Sequence, residues 1–296
     1  CHGDVQLFVD KLHDDEGGNH ATGSGKVCIG EDAGDVCDVA DGASFHHVRA
    51  QGRDHERQAV THCFARVGEE STFKSFTLTV NGRLTRNETI IEIIGDNATA
   101  HVSGACLGDG NDFHHDDTVF ITHDSVDCES RQVFKKVLRN GATGVFQGKI
   151  LVKEGAQKTD GYQISQALLL DDDSVFLAKP ELEIYADDVA CSHGSTTGAI
   201  DEDALFYLQS RGVPKDEGVN LLTLAFLAEA LEEIAEASEG IAVSVGLPMV
   251  VEGSVFNTTA FIWDQEVIGF VAKQELAGDG IYYEPRWFKR WEEKAV

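Results

Sequence analysis

The sequence predicts a mainly β core over about residues 38–190, then two helices, then a short β-hairpin tail. Three observations carry that reading. Many short β-like runs fill the core, separated by NG, GDN, GDGND, RNG and DDD, all turn chemistries. Beyond Asp201 the apolar period changes to every three or four residues. After about Gly240 it returns to strand-like runs.

Residues 1–37 are polar, Gly-rich and Asp-rich, and hold no sustained period, so they read as irregular. GSGK at Gly23–Lys26 imitates a phosphate loop but fails it. His20 stands where the first Gly belongs, and Val27 replaces the magnesium-binding Ser or Thr. In the core, Phe76, Leu78 and Val80 alternate with polar residues, as one buried face requires, and Ile90, Ile91, Ile93 and Ile94 make a β-branched run. VFITH at Val119, QVFKKVL at Gln132, GVFQGKILV at Gly144, YQISQALLL at Tyr162 and VFLAKPELEIYA at Val175 follow. The Val-Phe pairs at 119, 133 and 145 are spaced as if on successive rungs of a coiled sheet. A sandwich or barrel would space its strands similarly.

Asp201 is placed to N-cap a helix through Phe206 and Leu208, with Gly212 as its left-handed stop. Pro214 suits the start of a second helix reaching about Ser238. Leu221, Leu224, Leu227, Leu231 and Ile234 give that helix one broad apolar face, opposite Glu229, Glu232, Glu233 and Glu236. The tail reads as a strand followed by a hairpin with strands near 255–263 and 266–273.

Charge narrows the partners. With 51 Asp+Glu against 24 Lys+Arg the formal charge is -27, which repels phosphate backbones and anionic lipid. Nucleic acid and membrane are therefore excluded as expected partners, and no apolar run approaches the ~20 residues of a bilayer span. The seven cysteines are odd in number, widely spaced and without a C-x-x-C pair, which fits free thiols in a reducing cytoplasm. The chain starts at Cys1 and shows no signal-peptide pattern, so its start reads as truncated.

Side chains suited to soft-metal chemistry are few. Cys191 and His193 are two residues apart and share a face if a strand continues that far. Two ligands do not complete a four-ligand site, so a partner chain has to contribute. Phe45-His46-His47 and Phe113-His114-His115 set each His beside its neighbour, on opposite faces of a strand, and His114, Asp116 and Asp117 read as surface turn residues.

The stretch KPELEIYADDVACSHGSTTGAIDEDALFYLQSRG, Lys179 to Gly212, resembles the end of the core domain of the SufB/SufD family, scaffold proteins of SUF iron–sulfur assembly. GASFHHVRAQGRDHERQAVTH, ESTFKSFTLTVNG, FHHDDTVFITHDSVDCESRQVFKKVL and GATGVFQGKILVKEGAQKTDGYQISQALLL extend the resemblance over about residues 38–239, and ADDV-x-CSHG lies on the SufD side of the family. The resemblance implies a right-handed parallel β-helix over 38–190 and a helical region at 191–239 that docks a SufC-like ATPase, with Phe206, Tyr207, Leu208, Arg211 and Gly212 in the docking motif. It implies a SufB-like partner, a transient iron–sulfur cluster or iron at that interface, and no enzymatic activity in the chain itself. His193 matches the family's interface histidine, and Cys191 is the second candidate ligand.

VGLPM, FNTTAFI, GFVAKQ-x-LAGDGI and YYEPRWF, within 240–296, resemble an internal piece of the nitrilase-type glutaminase domain of glutamine-dependent NAD synthetase. Lys273 matches the nitrilase lysine, but no Glu base or Cys nucleophile has a motif match. The alternative reading is thus an inactive fragment of a carbon–nitrogen hydrolase, with Lys273 a relic that cannot run acyl transfer alone.

Overall fold

Sheet hydrogen bonding in the computed structural model joins strands that lie a full coil apart in the chain. The structure describes residues 7–10, 27–30, 34–51, 56–80, 82–236, 242–251, 254–263 and 266–272. The chain divides into two units, Cys1–Ala199 and Ile200–Val296. The first unit opens with β1 (Leu7–Asp10), β2 (Val27–Gly30), β3 (Gly34–Val39), β4 (Ser44–Gln51), β5 (Gln58–Val67), β6 (Thr72–Val80) and β7 (Leu84–Ile93). It continues with β8 (Thr99–Asp109), β9 (His114–His123), β10 (Glu129–Arg139), β11 (Thr143–Val152), β12 (Thr159–Leu169), β13 (Val175–Ile184) and β14 (Val189–Ala199).

One sheet runs β1-β4-β6-β8-β10-β12-β14, and the other β13-β11-β9-β7-β5-β3-β2. From β3 onward consecutive strands therefore alternate between sheets, and all pairings are parallel except β2 with β3. This is a parallel β-helix, and it excludes the antiparallel sandwich. Ser44, Thr72, Thr99, Glu129, Asp160 and Ala190 stack as register partners, 27 to 31 residues apart.

Between the sheets, identical positions of successive coils pack on one another. Cys37, Ala65, Ile91, Ile121 and Ile150 form one such column, all buried. Each enclosed Ile contributes roughly 1.5–3 kcal/mol of hydrophobic stabilisation. The coil corners reuse a local solution too. Glu70, Asn97, Asp127 and Lys158 each adopt a left-handed φ, between 50° and 60°. From that conformation each donates its backbone N–H to the next coil, to Asp96, Val126, Gln157 and Asp188 respectively.

Four expectations need correction. The Val-Phe pairs do not stack: Val133 lies on the sheet opposite Val119 and Val145, and Val145 pairs with Asp116. Their spacing is half a coil, which brings Phe134 against Phe146 across the interior with ring centroids 4.9 Å apart. Residues 191–199, expected to open the helical region, continue β14, and β1, β2 and the start of β3 lie within 1–37, read as irregular. Asp116 and Asp117, read as surface turn residues, are buried on β9 and His114 beside them is half-buried, while His46, His47 and His115 are buried as well. Parallel stacking gives enclosed polar side chains partners one coil away, a distance invisible in local sequence.

The second unit holds α1 (Glu202–Ser210), α2 (Lys215–Glu236) and an antiparallel sheet of β15 (Ala242–Val251), β16 (Ser254–Trp263) and β17 (Glu266–Ala272) in that order. Asp201 caps α1 by accepting from the N–H groups of Asp203 and Ala204. Gly212 follows the helix at φ +88°. Leu205, the buried residue of α1, lies against Gly218 of α2, where a Cβ would sit 2.7 Å from Leu205 Cδ1. The side chains of Leu224, Leu231 and Ile234 lie outside the described residues.

Candidate functional site

Among the described residues, no further strand follows β13 and β14 in the sheets of the β-helix. β14 pairs with β12 along one edge and terminates its sheet, as β13 terminates the other. A free parallel edge presents unpaired N–H and C=O groups, a template for another strand. The register Gly161↔Cys191, Gln163↔His193 and Ser165↔Ser195 carries the inner-face columns of β12 up into β14. Cys191 and His193 thus share one face of an edge strand, as an i, i+2 pair must.

Their surroundings differ. Cys191 is half-buried, with its Sγ over Gly161, where a Cβ would approach it to 3.2 Å. Burial pushes its thiol up, against a lowering backbone hydrogen bond at Gly161. His193 is exposed. Beneath it lie Gln163 and then Gln132, register partners on β12 and β10, both fully buried. Ser165 donates to Ser195 Oγ at 3.1 Å alongside.

Deeper in the β-helix the columns converge on a second polar group. Lys136 Nζ lies 2.5 Å from Asp117 Oδ2 and 2.7 Å from His115 Nδ1. An ammonium only donates, so His115 Nδ1 accepts and Nε2 carries the proton. Nε2 then donates to Thr79 Oγ1 at 3.1 Å, and Thr79 donates to Gln51 Oε1 at 2.7 Å. Gln51 Nε2 donates to Asn87 Oδ1, and Asn87 Nδ2 donates to Asp117 Oδ1, which closes the ring. Burial holds the His115 ring down to about 3, so it is neutral at pH 7. Burial works to raise Asp117, but His115, Lys136 and the hydrogen bonds from Lys136 and Asn87 outweigh it and leave the carboxyl below its ordinary range. Cys106, stacked between Thr79 and Lys136, is pushed up to about 12 by burial and is an inert thiol. Among the described residues no group of three or more His, Cys, Asp or Glu could hold a metal ion.

The expected docking residues fall on α1 and its exit. Phe206 and Tyr207 are exposed, at 71% and 55%. Arg211 lies over the Tyr207 ring, 3.6 Å from its centroid. Leu208 is half-buried, and Gly212 ends the helix. Lys273 lies outside the described residues. The sequence reading missed Gln132 and Gln163. Their signal is a polar residue at an inner position of two strands one coil apart, legible only once the register is known. No helix among the described residues is long and apolar enough to cross a membrane.

Residues 35–226 match the family described as SUF system FeS cluster assembly, SufBD core domain. The chain is 32% identical over 198 residues to the iron–sulfur cluster assembly protein SufD of Escherichia coli (strain K12), covering 67% of this chain and 47% of that relative. It is 30% identical over 150 residues to SufD of Bacillus subtilis (strain 168), covering 51% and 34%. An iron–sulfur cluster assembly SufBD family protein of Synechocystis sp. is 40% identical over 109 residues, 37% of this chain and 24% of the relative. The chain thus spans about half the length, or less, of these relatives. A crystal structure of a glutamine-dependent NAD(+) synthetase from Cytophaga hutchinsonii shares 32% identity over 31% of this chain and 18% of that one. Its TM-score of 0.23 is too low to speak for a shared fold.

Proposed function

Because the chain belongs to the SufBD core family of the SUF iron–sulfur assembly system, we propose that it is a SufD-like scaffold subunit in cluster assembly, without a catalysed reaction of its own. The observation that carries this reading is the placement of His193 and Cys191 on one face of an edge strand that, among the described residues, pairs with β12 alone. A SufB-like subunit adds its own strand there and brings the remaining ligands. Iron and sulfide are the cargo. Imidazole nitrogen and thiolate sulfur are the donors such cargo takes.

The two donors have different tasks. His193 is exposed and binds through an unprotonated ring nitrogen. Cys191 is held as a thiol by burial, so its ligation releases a proton as iron arrives. The α1–α2 region docks a SufC-like ATPase through Phe206, Tyr207, Leu208 and Arg211. ATP hydrolysis belongs to that ATPase, whose dimerisation moves the paired subunits and exposes the assembly site containing His193. The buried thiols Cys63, Cys106 and Cys128, which are not joined in disulfides, suit a reducing cytoplasm.

The test is His193→Ala in a complex reconstituted with SufB-like and SufC-like subunits. The reading expects an intact complex, unchanged thermal stability and lost or strongly slowed cluster formation. Normal cluster yield returns His193 to a plain edge residue.

A further inference from the structure

The column beneath the candidate site leaves hydrogen-bonding groups unsettled. His193, Gln163 and Gln132 occupy successive register positions on β14, β12 and β10, with strands about 4.8 Å apart. Both glutamines are 0% exposed. Yet Gln163 Nε2, Gln163 Oε1 and Gln132 Oε1 have no hydrogen-bond partner. An enclosed polar atom left so is destabilising, and three on adjacent rungs call for a partner.

The fourth amide atom sets a direction. Gln132 Nε2 donates to the backbone carbonyl of Lys149 at 3.4 Å. A carbonyl oxygen only accepts, so that end of the column has to be N–H. Gln132 Oε1 is then left to accept from the rung above, where its register partner Gln163 carries the unpartnered amide N–H. Gln163 Oε1 turns toward His193, which has to donate. Each orphaned atom gains one partner, and none is left over. The change needs only rotation about the terminal torsion of Gln163, a soft one. Gly148, on the opposite sheet, makes room for that amide: a Cβ there would sit 2.3 Å from Gln163 Nε2.

We propose that Gln132 and Gln163 form a directional hydrogen-bond chain from the Lys149 carbonyl to His193, which holds the imidazole and fixes its proton on the nitrogen facing the column. The other ring nitrogen then presents its lone pair outward, ready for an iron centre, as outer-shell acceptors do for metal-binding histidines. Gln163 and Gln132 are positioning residues. Their importance for assembly rests on the reading of His193 given above, while the chain itself is a property of the free protein.

Long-range 15N–1H NMR of the His193 ring in the full chain, at neutral pH, reads this directly. The native protein shows one tautomer. Gln163→Met, close in volume but without the amide, shows a mixture of both. Gln132→Met, one rung deeper, does the same by removing the acceptor that orients Gln163, and serves if the first variant fails to fold. In the complex with SufB-like and SufC-like subunits, Gln163→Met slows cluster formation about tenfold, the lower end for loss of an outer-shell partner. A single tautomer retained in both variants overturns the chain, whatever assembly does. A lost tautomer with normal cluster formation overturns the positioning role. Normal assembly by His193→Ala sinks the functional reading instead and leaves the chain standing.

Discussion

Lys136 and Asp117 reach the interior from opposite sheets and meet there at 2.5 Å, with exposures of 1% and 6%. Taking both charges out of water costs several kcal/mol per ion, which their attraction and the surrounding hydrogen bonds offset. The pair joins the two walls at a place where apolar residues would have packed as well. Its distinct contribution is register: a slip of either strand by one residue would turn the lysine or the aspartate outward.

Removing one partner should therefore be far worse than removing both. Lys136→Met is expected to lower unfolding stability by about 3–5 kcal/mol, since it strands a buried carboxylate. The double variant Lys136→Met, Asp117→Leu should recover a large part of that loss. Urea denaturation of the native chain and the two variants checks it, and equal losses in both would contradict the account.

Acid should weaken the fold well before carboxylates titrate. Burial lowers His47 and His115 to about 3 and His123 to about 4, from an ordinary 6.5. Below pH 6.5 the unfolded chain takes up these protons first, so stability is complete above that pH and declines beneath it. The slope is about 1.4 kcal/mol per pH unit for each histidine, down to roughly pH 4, where His123 itself protonates in the fold. Asp117, held low, adds its own loss at still lower pH. Denaturation midpoints flat between pH 6.5 and 4.5 would refute this.

Gly148 has little tolerance for a side chain. A Cβ would lie 2.3 Å from Gln163 Nε2 and 2.7 Å from Phe146 Cζ. Gly148→Ala is expected to cost about 1–3 kcal/mol by overpacking. Combining it with Gln163→Ala should relieve part of the clash, giving a non-additive double-mutant cycle. Additive losses would show that Phe146 alone sets the limit.

Phe206 and Tyr207 should separate stability from partner binding. Both are exposed on α1, so Phe206→Ala should change unfolding stability by no more than about 0.5 kcal/mol. Recovery of a SufC-like ATPase by pull-down should nonetheless fall. Tyr207→Ala also removes the stacking of Arg211, worth roughly 0.5–1 kcal/mol at an exposed site. Full ATPase recovery by both variants would assign the surface no docking role.

Local chemistry made much of this architecture legible. Asp201, Gly212 and the run of short strands act through neighbours a few residues away, and the α1 cap and the hairpin β16–β17 fall where they point. The coil register was not legible, because from β3 onward it couples residues 26 to 32 positions apart. QVFKKVL shows the consequence: it reads as a strand, but nothing local says that Lys135 and Lys136 are buried at 4% and 1%. Lys136 is stable inside because Asp117 and His115 arrive from the opposite sheet, about half a coil earlier in the chain. The same holds for His193, whose meaning as a site depends on the resemblance around SHGST rather than on any spacing.

The final coil has a kinetic side as well. A solenoid is stabilised by nearest neighbours, and every inner coil has two, whereas, among the described residues, β13 and β14 have one each. Hydrogen exchange should therefore find the amides of Val189–Ala199 and Val175–Ile184 faster than those of the inner strands. The side chains proposed for cluster assembly sit on a segment that opens more readily than the inner coils while the chain is alone. A strand arriving from a partner would close it, so rigidity at this site would be conferred by assembly and would be withdrawn when the partner leaves.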